Sequence, residues 1–177
     1  MTSHTRPDVP IRRAMPDDAT ALAAFGSRLF AETFGAANRP DDIARYLAAT
    51  YGPAHQTREL ADPSLTYLVA EADGTMAGFV LLRSGATPAS VVSPRPLEIL
   101  RFYVDRPFQG AGVSRALMAE CVAEARRRGA TALWLGVWER NARAIRFYEK
   151  SGFRDVGSQD FMLGSDRQID LVMLRDL

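Results

Sequence analysis

Apolar residues along this chain recur at two spacings: the three-to-four step of an amphipathic helix, and the near-continuous or every-second pattern of a strand. Residues 1–8 are polar and contain Pro7, and are expected to form a mobile tail leading to a first strand over residues 9–14. Ala19, Leu22, Ala23, Phe25, Leu29, Phe30 and Phe34 then fall mainly at helical spacing. Pro16-Asp17-Asp18 gives that helix its entry, because proline is tolerated in a first turn and carboxylates there favour the helix dipole. The helix should stop near Gly35. Arg39-Pro40-Asp41-Asp42 repeats the start signal for a short second helix marked by Ile43, Tyr46 and Leu47, and residues 53–60 add a further turn or two. Helices between the first two strands serve either as a wall over a site or as a packing layer, and both readings stand.

Residues 65–70 and 76–82 are strand-like and are joined through Asp73-Gly74, a strong hairpin signal. Residues 85–96 carry Pro88, Pro94 and Pro96 and read as a loop. Strands follow at residues 97–104 and 133–138, with a helix between them. Asn141 caps a further helix bearing Ala144, Ile145 and Tyr148 on one face and ending at Gly152. Residues 153–163 and 168–174 supply the last two strands, separated by a polar turn over residues 164–167. Strand and helix are interleaved throughout, which points to an α/β sandwich on a mixed sheet.

At 177 residues the chain suits one domain with a substantial core, taken as residues 9–177. The 22 Lys+Arg against 21 Asp+Glu give no general electrostatic reason to bind nucleic acid or a membrane. Arg126-Arg127-Arg128 is explained more simply by cations closing a helix before Gly129 than by a nucleic-acid site. A lone Cys121 cannot form an internal disulfide, and with only His4 and His55 no usual zinc cluster can be assembled, so metal-free chemistry in a reducing cytoplasm is expected. The start lacks the apolar core of a signal peptide, and no apolar run reaches the roughly 18 residues of a membrane span.

Chemistry concentrates at residues 104–118, VDRPFQGAGVSRALM, where a strand runs through a glycine loop into a helix whose apolar residues recur at Val113, Leu117 and Cys121. Gly110 and Gly112 let backbone come close to a ligand, and their amides adjoin the free N–H groups at the positive end of a helix. Such a surface suits an anion, most simply a phosphate. A dinucleotide fingerprint fits poorly, and no Gly-Lys-Ser/Thr follows to make a Walker loop.

What remains, Gln109-x-x-Gly112-x-Ser114, resembles the coenzyme A loop of the GCN5-related N-acetyltransferases, with Ser114 replacing the usual Gly or Ala. A second segment, ALWLGVWERNARAIRFYEKSGF, is similar to the distal motif of the same family, with Asn141, Ala144, Tyr148, Gly152 and Phe153 at each matching position. The WLGVWERN segment, the early AETF and RYL, and the closing GSDRQIDLVMLRDL look most like the PaiA-type polyamine (spermidine and spermine) N-acetyltransferases. The resemblance implies a mixed, largely antiparallel sheet of about seven strands flanked by about four helices. It also implies direct transfer of acetyl from acetyl-CoA to a small-molecule primary amine such as spermidine. A homodimer is left open.

By that resemblance the backbone of Phe102, Tyr103 and Val104 pairs with the pantetheine arm. The loop of Gln109, Gly110, Ala111, Gly112, Val113 and Ser114 holds the pyrophosphate, and Asn141 contacts the pantetheine amides besides capping its helix. Val104 N–H would polarise the acetyl carbonyl, Tyr148 would protonate the leaving sulfur, and Glu98 would be the base. Core packing for Tyr148 and a solvated strand-start acid for Glu98 are the plainer readings. Leu100 stands where many relatives carry a second Glu. Glu32, Asp41, Asp42, Glu139 and Asp160 are the candidate carboxylates for a polyamine, each also readable as a surface acid. A protein or peptide acetyltransferase would share both motifs, but relatives that acetylate the ribosomal alanine terminus carry a Glu where this chain has Gly136. A non-catalytic acyl-CoA sensor is the alternative from another class.

Overall fold

The computed structural model describes residues 9–72 and 74–177; the expected N-terminal tail and Asp73 of the first hairpin lie outside the described residues. Seven strands form one sheet: β1 (Ile11–Arg13), β2 (Leu65–Ala72), β3 (Thr75–Arg83), β4 (Pro96–Val104), β5 (Ala132–Trp138), β6 (Arg154–Leu163) and β7 (Asp166–Asp176). Their order is β1-β2-β3-β4-β5-β7-β6. Every neighbouring pair is antiparallel except β4 and β5, which are joined through a helix as a parallel pair requires. Among the described residues five α-helices flank it: α1 (Ala19–Phe34), α2 (Pro40–Thr50), α3 (Pro53–Ala61), α4 (Val113–Arg127) and α5 (Ala142–Lys150).

The two faces of the sheet are covered by different helices. Val113, Leu117, Met118, Cys121, Val122 and Ala125 put one stripe of α4 against Leu97, Ile99, Leu133 and Leu135, and Tyr148 of α5 joins that core. On the other face, Leu22, Phe25 and Leu29 of α1 meet Tyr67, Val69, Phe79 and Leu81. Leu117 is fully buried, so Leu117→Ala would cost about 2–5 kcal/mol through lost transfer energy and a cavity.

The polar turn before the last strand is tighter than its composition suggests. β7 begins at Asp166, leaving Gly164 and Ser165 as the turn, with Gly164 at φ 59°. The reason is long-range. Asp42 of α2 accepts hydrogen bonds from both Ser165 N–H and Ser165 Oγ at 2.8 Å, and a Cβ at Gly164 would lie 2.6 Å from Asp42 Oδ1. That contact ties α2 to the β6–β7 hairpin. A second polar anchor lies under α3, where Glu59 holds the Arg101 guanidinium through contacts of 2.9 and 3.0 Å.

Candidate active site

The site begins with a fault in β4. Leu81 of β3 pairs with Arg101 and its neighbour Leu82 with Ile99, so Leu100 has no partner and forms a β-bulge. On its other edge β4 pairs with β5 only from Pro96 to Glu98, opposite Ala132, Leu133 and Trp134. The two strands then part, and the rest of β5 pairs with β7 alone. Asp105 N–H donates to Ala77 C=O, and Tyr103 C=O faces Gly78. Alternation along the strand therefore turns the backbone groups of Phe102 and Val104 into the opening. Gln109 reaches back to donate to Val104 C=O at 2.9 Å.

Beyond β4 the chain makes one short turn over residues 106–108, with the Asp105 carboxylate accepting from Arg106 N–H at 2.8 Å. The glycine loop follows. Gly110 has φ 84° and Gly112 φ 93°, values that a Cβ resists, and nothing lies within 4 Å of where either Cβ would stand. Open space over the loop, not crowding, surrounds these residues. Gly112 is the N-cap of α4 and brings no side chain to its first amides, so those donors face outward at the positive end of the helix.

A groove of about 1300 Å³ runs from this loop along α4 and α5. Phe102, Val104, Gln109, Gly110, Ala111, Gly112, Ser114, Asn141 and Tyr148 all line it. Arg115 and Arg126 add positive charge from the α4 side, and Arg143 and Lys150 from the α5 side. The arginine run at the end of α4 is thus divided in use. Arg127 and Arg128 close on the buried Glu124 at 2.8 Å, while Arg126 faces the groove. Asn141 Oδ1 accepts from Ala144 N–H at 3.2 Å, which makes it the cap of α5 as well as a wall of the groove.

A smaller cavity of about 240 Å³ opens between the parted strands and shares Phe102, Val104, Asn141 and Tyr148 with the groove. Aromatic rings build it from six elements: Phe30 and Phe34 of α1, Tyr46 of α2, Phe102 and Tyr103 of β4, Trp138 of β5, Tyr148 of α5 and Phe161 of β6. Phe30 stacks on Tyr46 at 4.2 Å between centroids, and Tyr46 packs on Phe161 at 5.6 Å. The early helices α1 and α2 are therefore walls of this cavity as well as a packing layer. Asp170 of β7 is the one carboxylate, among the described residues, that lines either space. It is 9% exposed, and burial raises its pKa to about 6 from an ordinary value of 3.8. Tyr148 is buried among Phe102, Phe147 and Phe153, and that burial holds its hydroxyl well above the ordinary tyrosine range, so it keeps its proton.

Three expected residues stand differently. Glu98 lines neither space: it lies where β4 is still paired on both edges, below the parting, and its carboxylate accepts from Arg83 Nε at 2.6 Å. Burial raises its pKa while Arg83 opposes the shift. Val113 is 1% exposed in the α4 core, so only its backbone is left for a ligand. Tyr103 turns its backbone to β3 and its ring into the smaller cavity. The acids expected to meet a polyamine also lie elsewhere. Glu32 pairs with Arg28 at 3.2 Å, Asp160 pairs with Arg167 at 2.8 Å, Asp42 holds Ser165, and Asp41 and Glu139 line neither space. Nothing local in the sequence marks Asp170. Its place follows from the register that sets it opposite Trp138.

Comparison with known proteins adds to this geometry. The family model described as "Acetyltransferase (GNAT) family" matches residues 28–153. The chain is similar to an uncharacterized N-acetyltransferase of Mycobacterium bovis, at 36% identity over 90% of this chain and 98% of that one. It is also similar to an uncharacterized N-acetyltransferase of Lactobacillus delbrueckii subsp. lactis, at 32% identity over 96% and 98%. Among solved structures, the PaiA N-acetyltransferase of Thermoplasma acidophilum in complex with coenzyme A superimposes with a TM-score of 0.76 at 20% identity, covering 96% of this chain and 99% of that one.

Proposed function

The chain belongs to the acetyltransferase (GNAT) family and is an N-acetyltransferase, and from that premise we propose that it transfers acetyl directly from acetyl-CoA to the primary amine of a small molecule. The observation that carries this reading is the continuity of the groove. It leads from the glycine loop, past the free edge of β4, into a cavity where Tyr148 stands. The residues present fit coenzyme A: the open cradle over Gly110 and Gly112 suits a pyrophosphate, and the Phe102 backbone groups and the Val104 N–H, which β5 leaves unpaired, suit the amides of a pantetheine arm. Arg115, Arg126, Arg143 and Lys150 suit the remaining phosphate charge.

Acetyl-CoA supplies the activated acyl group; the protein supplies position, polarisation and proton control. Val104 N–H, turned into the opening, would donate to the acetyl oxygen as it gains charge, and a fixed backbone donor there would act without reorganisation. Tyr148 holds a proton that burial prevents it from losing to solvent, which suits it to protonate the departing sulfur. Asn141, held by its capping bond and lining the groove, would offer its amide to the arm.

Within the class of small amines, the finer reading is a polyamine such as spermidine, supported by the likeness in overall shape to the PaiA protein. The cavity narrows the recognition. One carboxylate among aromatic rings suits a single ammonium beside an apolar body, leaving further amines of a polyamine outside the cavity. A screen of acetyl-CoA turnover over spermidine, monoamines of equal length, aminoglycosides, amino acids and peptides tests the proposal. Turnover is expected with small primary amines. Turnover confined to peptide N-termini would make the chain a peptide acetyltransferase, and binding of acetyl-CoA without any turnover would make it a sensor.

A further inference from the structure

We propose that Asp170 is the general base of the transfer, taking the proton from the incoming ammonium inside the aromatic cavity. The inference rests on the transferase reading above and names the residue that completes it.

A primary amine with a pKa near that of lysine, about 10.4, is almost wholly protonated at neutral pH, so nucleophilic nitrogen must be made in the site. Asp170 is the one carboxylate lining the cavity, and no ion pair occupies it among the described residues. By contrast Glu98 and Glu59 are each engaged by an arginine. Other ionisable groups around the cavity are Tyr46 from α2, Arg101 and Tyr103 from β4, and Tyr148 from α5. Arg101 is committed to Glu59, and burial raises the pKa of all three tyrosines, so they remain neutral beside Asp170. Its carboxylate therefore keeps the basicity that burial confers, with an acid dissociation near 6, which suits a base working near neutral pH.

Space for the carboxylate is made by the neighbouring strand. Gly136 of β5 sits diagonally across from Asp170, and a Cβ there would lie 3.0 Å from Asp170 Oδ2 and 2.7 Å from Nε2 of Gln159 on β6. With no side chain at residue 136, the Asp170 carboxylate and the Gln159 amide fill that volume. Trp138, paired with Asp170 across the ladder, then walls the cavity beside it.

The proton and electron count closes. The ammonium gives one proton to the Asp170 carboxylate, which becomes a carboxylic acid. The freed nitrogen lone pair forms the new C–N bond at the thioester carbonyl, and the C–S bond breaks with its electron pair staying on sulfur. Nitrogen then sheds its second proton, Tyr148 gives one to sulfur and recovers one in that exchange, and Asp170 releases its proton to solvent. The sum is one amide, one thiol and one proton.

The test is the pH dependence of kcat/KM for the wild type and Asp170→Asn with the best amine of the screen. For the wild type, the rate should rise through about pH 6 and then level, because Asp170⁻ and the ammonium together make the reactive pair. The variant should lose about 10²-fold or more at neutral pH, the usual worth of a general base, and its rate should keep rising tenfold per unit toward the amine's own pKa. Its melting temperature at pH 7 should equal or exceed that of the wild type, because a buried carboxylate whose folded pKa is raised lowers stability above its unfolded pKa. An active wild type whose Asp170→Asn variant keeps both rate and profile overturns the assignment of Asp170 alone. A variant that raises only KM makes Asp170 an anchor for the ammonium and overturns it too. A wild type with no turnover on any amine overturns the transferase reading, and this inference with it.

Discussion

Replacing Gly112 by Asp should abolish useful binding of coenzyme A while leaving the fold intact. A Cβ at residue 112 would meet nothing within 4 Å, so the new side chain enters the cradle without a clash. The backbone there is left-handed at φ 93°, which costs an ordinary residue roughly 1–2 kcal/mol. Asp is also a favoured N-cap for α4 and its charge suits the helix dipole, so part of that strain is offset. Toward the ligand the balance reverses. A carboxylate about 5 Å from a phosphate, at an effective dielectric near 20, is repelled by about 3 kcal/mol. At 1.4 kcal/mol per decade this is on the order of a 10²-fold loss of affinity. Calorimetric titration with coenzyme A measures it, with thermal melting as the control for folding. Gly112→Ala separates the causes, since it carries the strain without the charge and should bind far better than the Asp variant. A folded Gly112→Asp protein with wild-type affinity would refute the placement of the pyrophosphate on residues 109–114.

Tyr148→Phe should lower kcat by about 10²-fold or more with little change in acetyl-CoA affinity, because the ring packing against Phe102 and Phe153 survives and only the proton is lost; steady-state kinetics with equal turnover would reduce Tyr148 to a packing residue. Glu124 sits fully buried among Arg13, Arg127 and Arg128, and their hydrogen bonds outweigh the opposing desolvation to lower its pKa from 4.5 to about 2. A carboxylate depressed in this way stabilises the fold above its unfolded pKa, and that stability is lost as pH falls from about 4.5 toward 2. Urea midpoints measured across that window should fall less steeply for Glu124→Gln than for the wild type, and equal slopes would show the cluster contributes nothing.

Elements announced by local chemistry were legible in the sequence, and those made by pairing were not. The entries to α1 and α2 at Pro16 and Pro40, the cap at Asn141 and the glycine loop each depend on neighbours a few residues away. Periodicity then separates helix from strand, and a mixed, largely antiparallel sheet of about seven strands follows from the family resemblance, whereas the strand order, with β7 between β5 and β6, appears only once the strands are paired. The bulge at Leu100 is different, because it exists only in the register between β3 and β4. The parting of β4 and β5 after Glu98 likewise exists only in the pairing, so nothing in the sequence tells that Glu98, named by the family resemblance, lies below the opening while Phe102 lies beside it. Asp170 was hidden for the same reason. A lone acid in a strand gives no sign of which cavity it faces until β5 and β7 are paired. The β6–β7 turn is shorter than its polar run suggests because its tight form depends on Asp42, distant in sequence.

The most direct test of the account follows the acetyl group itself. Acetyl-CoA labelled in its acetyl carbon is incubated with the protein and the best small amine, and free thiol, labelled amide and labelled protein are measured together. Direct transfer predicts one labelled amide for each thiol released, with the label on the amine nitrogen and none retained on the protein at any time. Thiol release without a labelled amide, or label accumulating on the protein before it reaches the amine, would contradict the account.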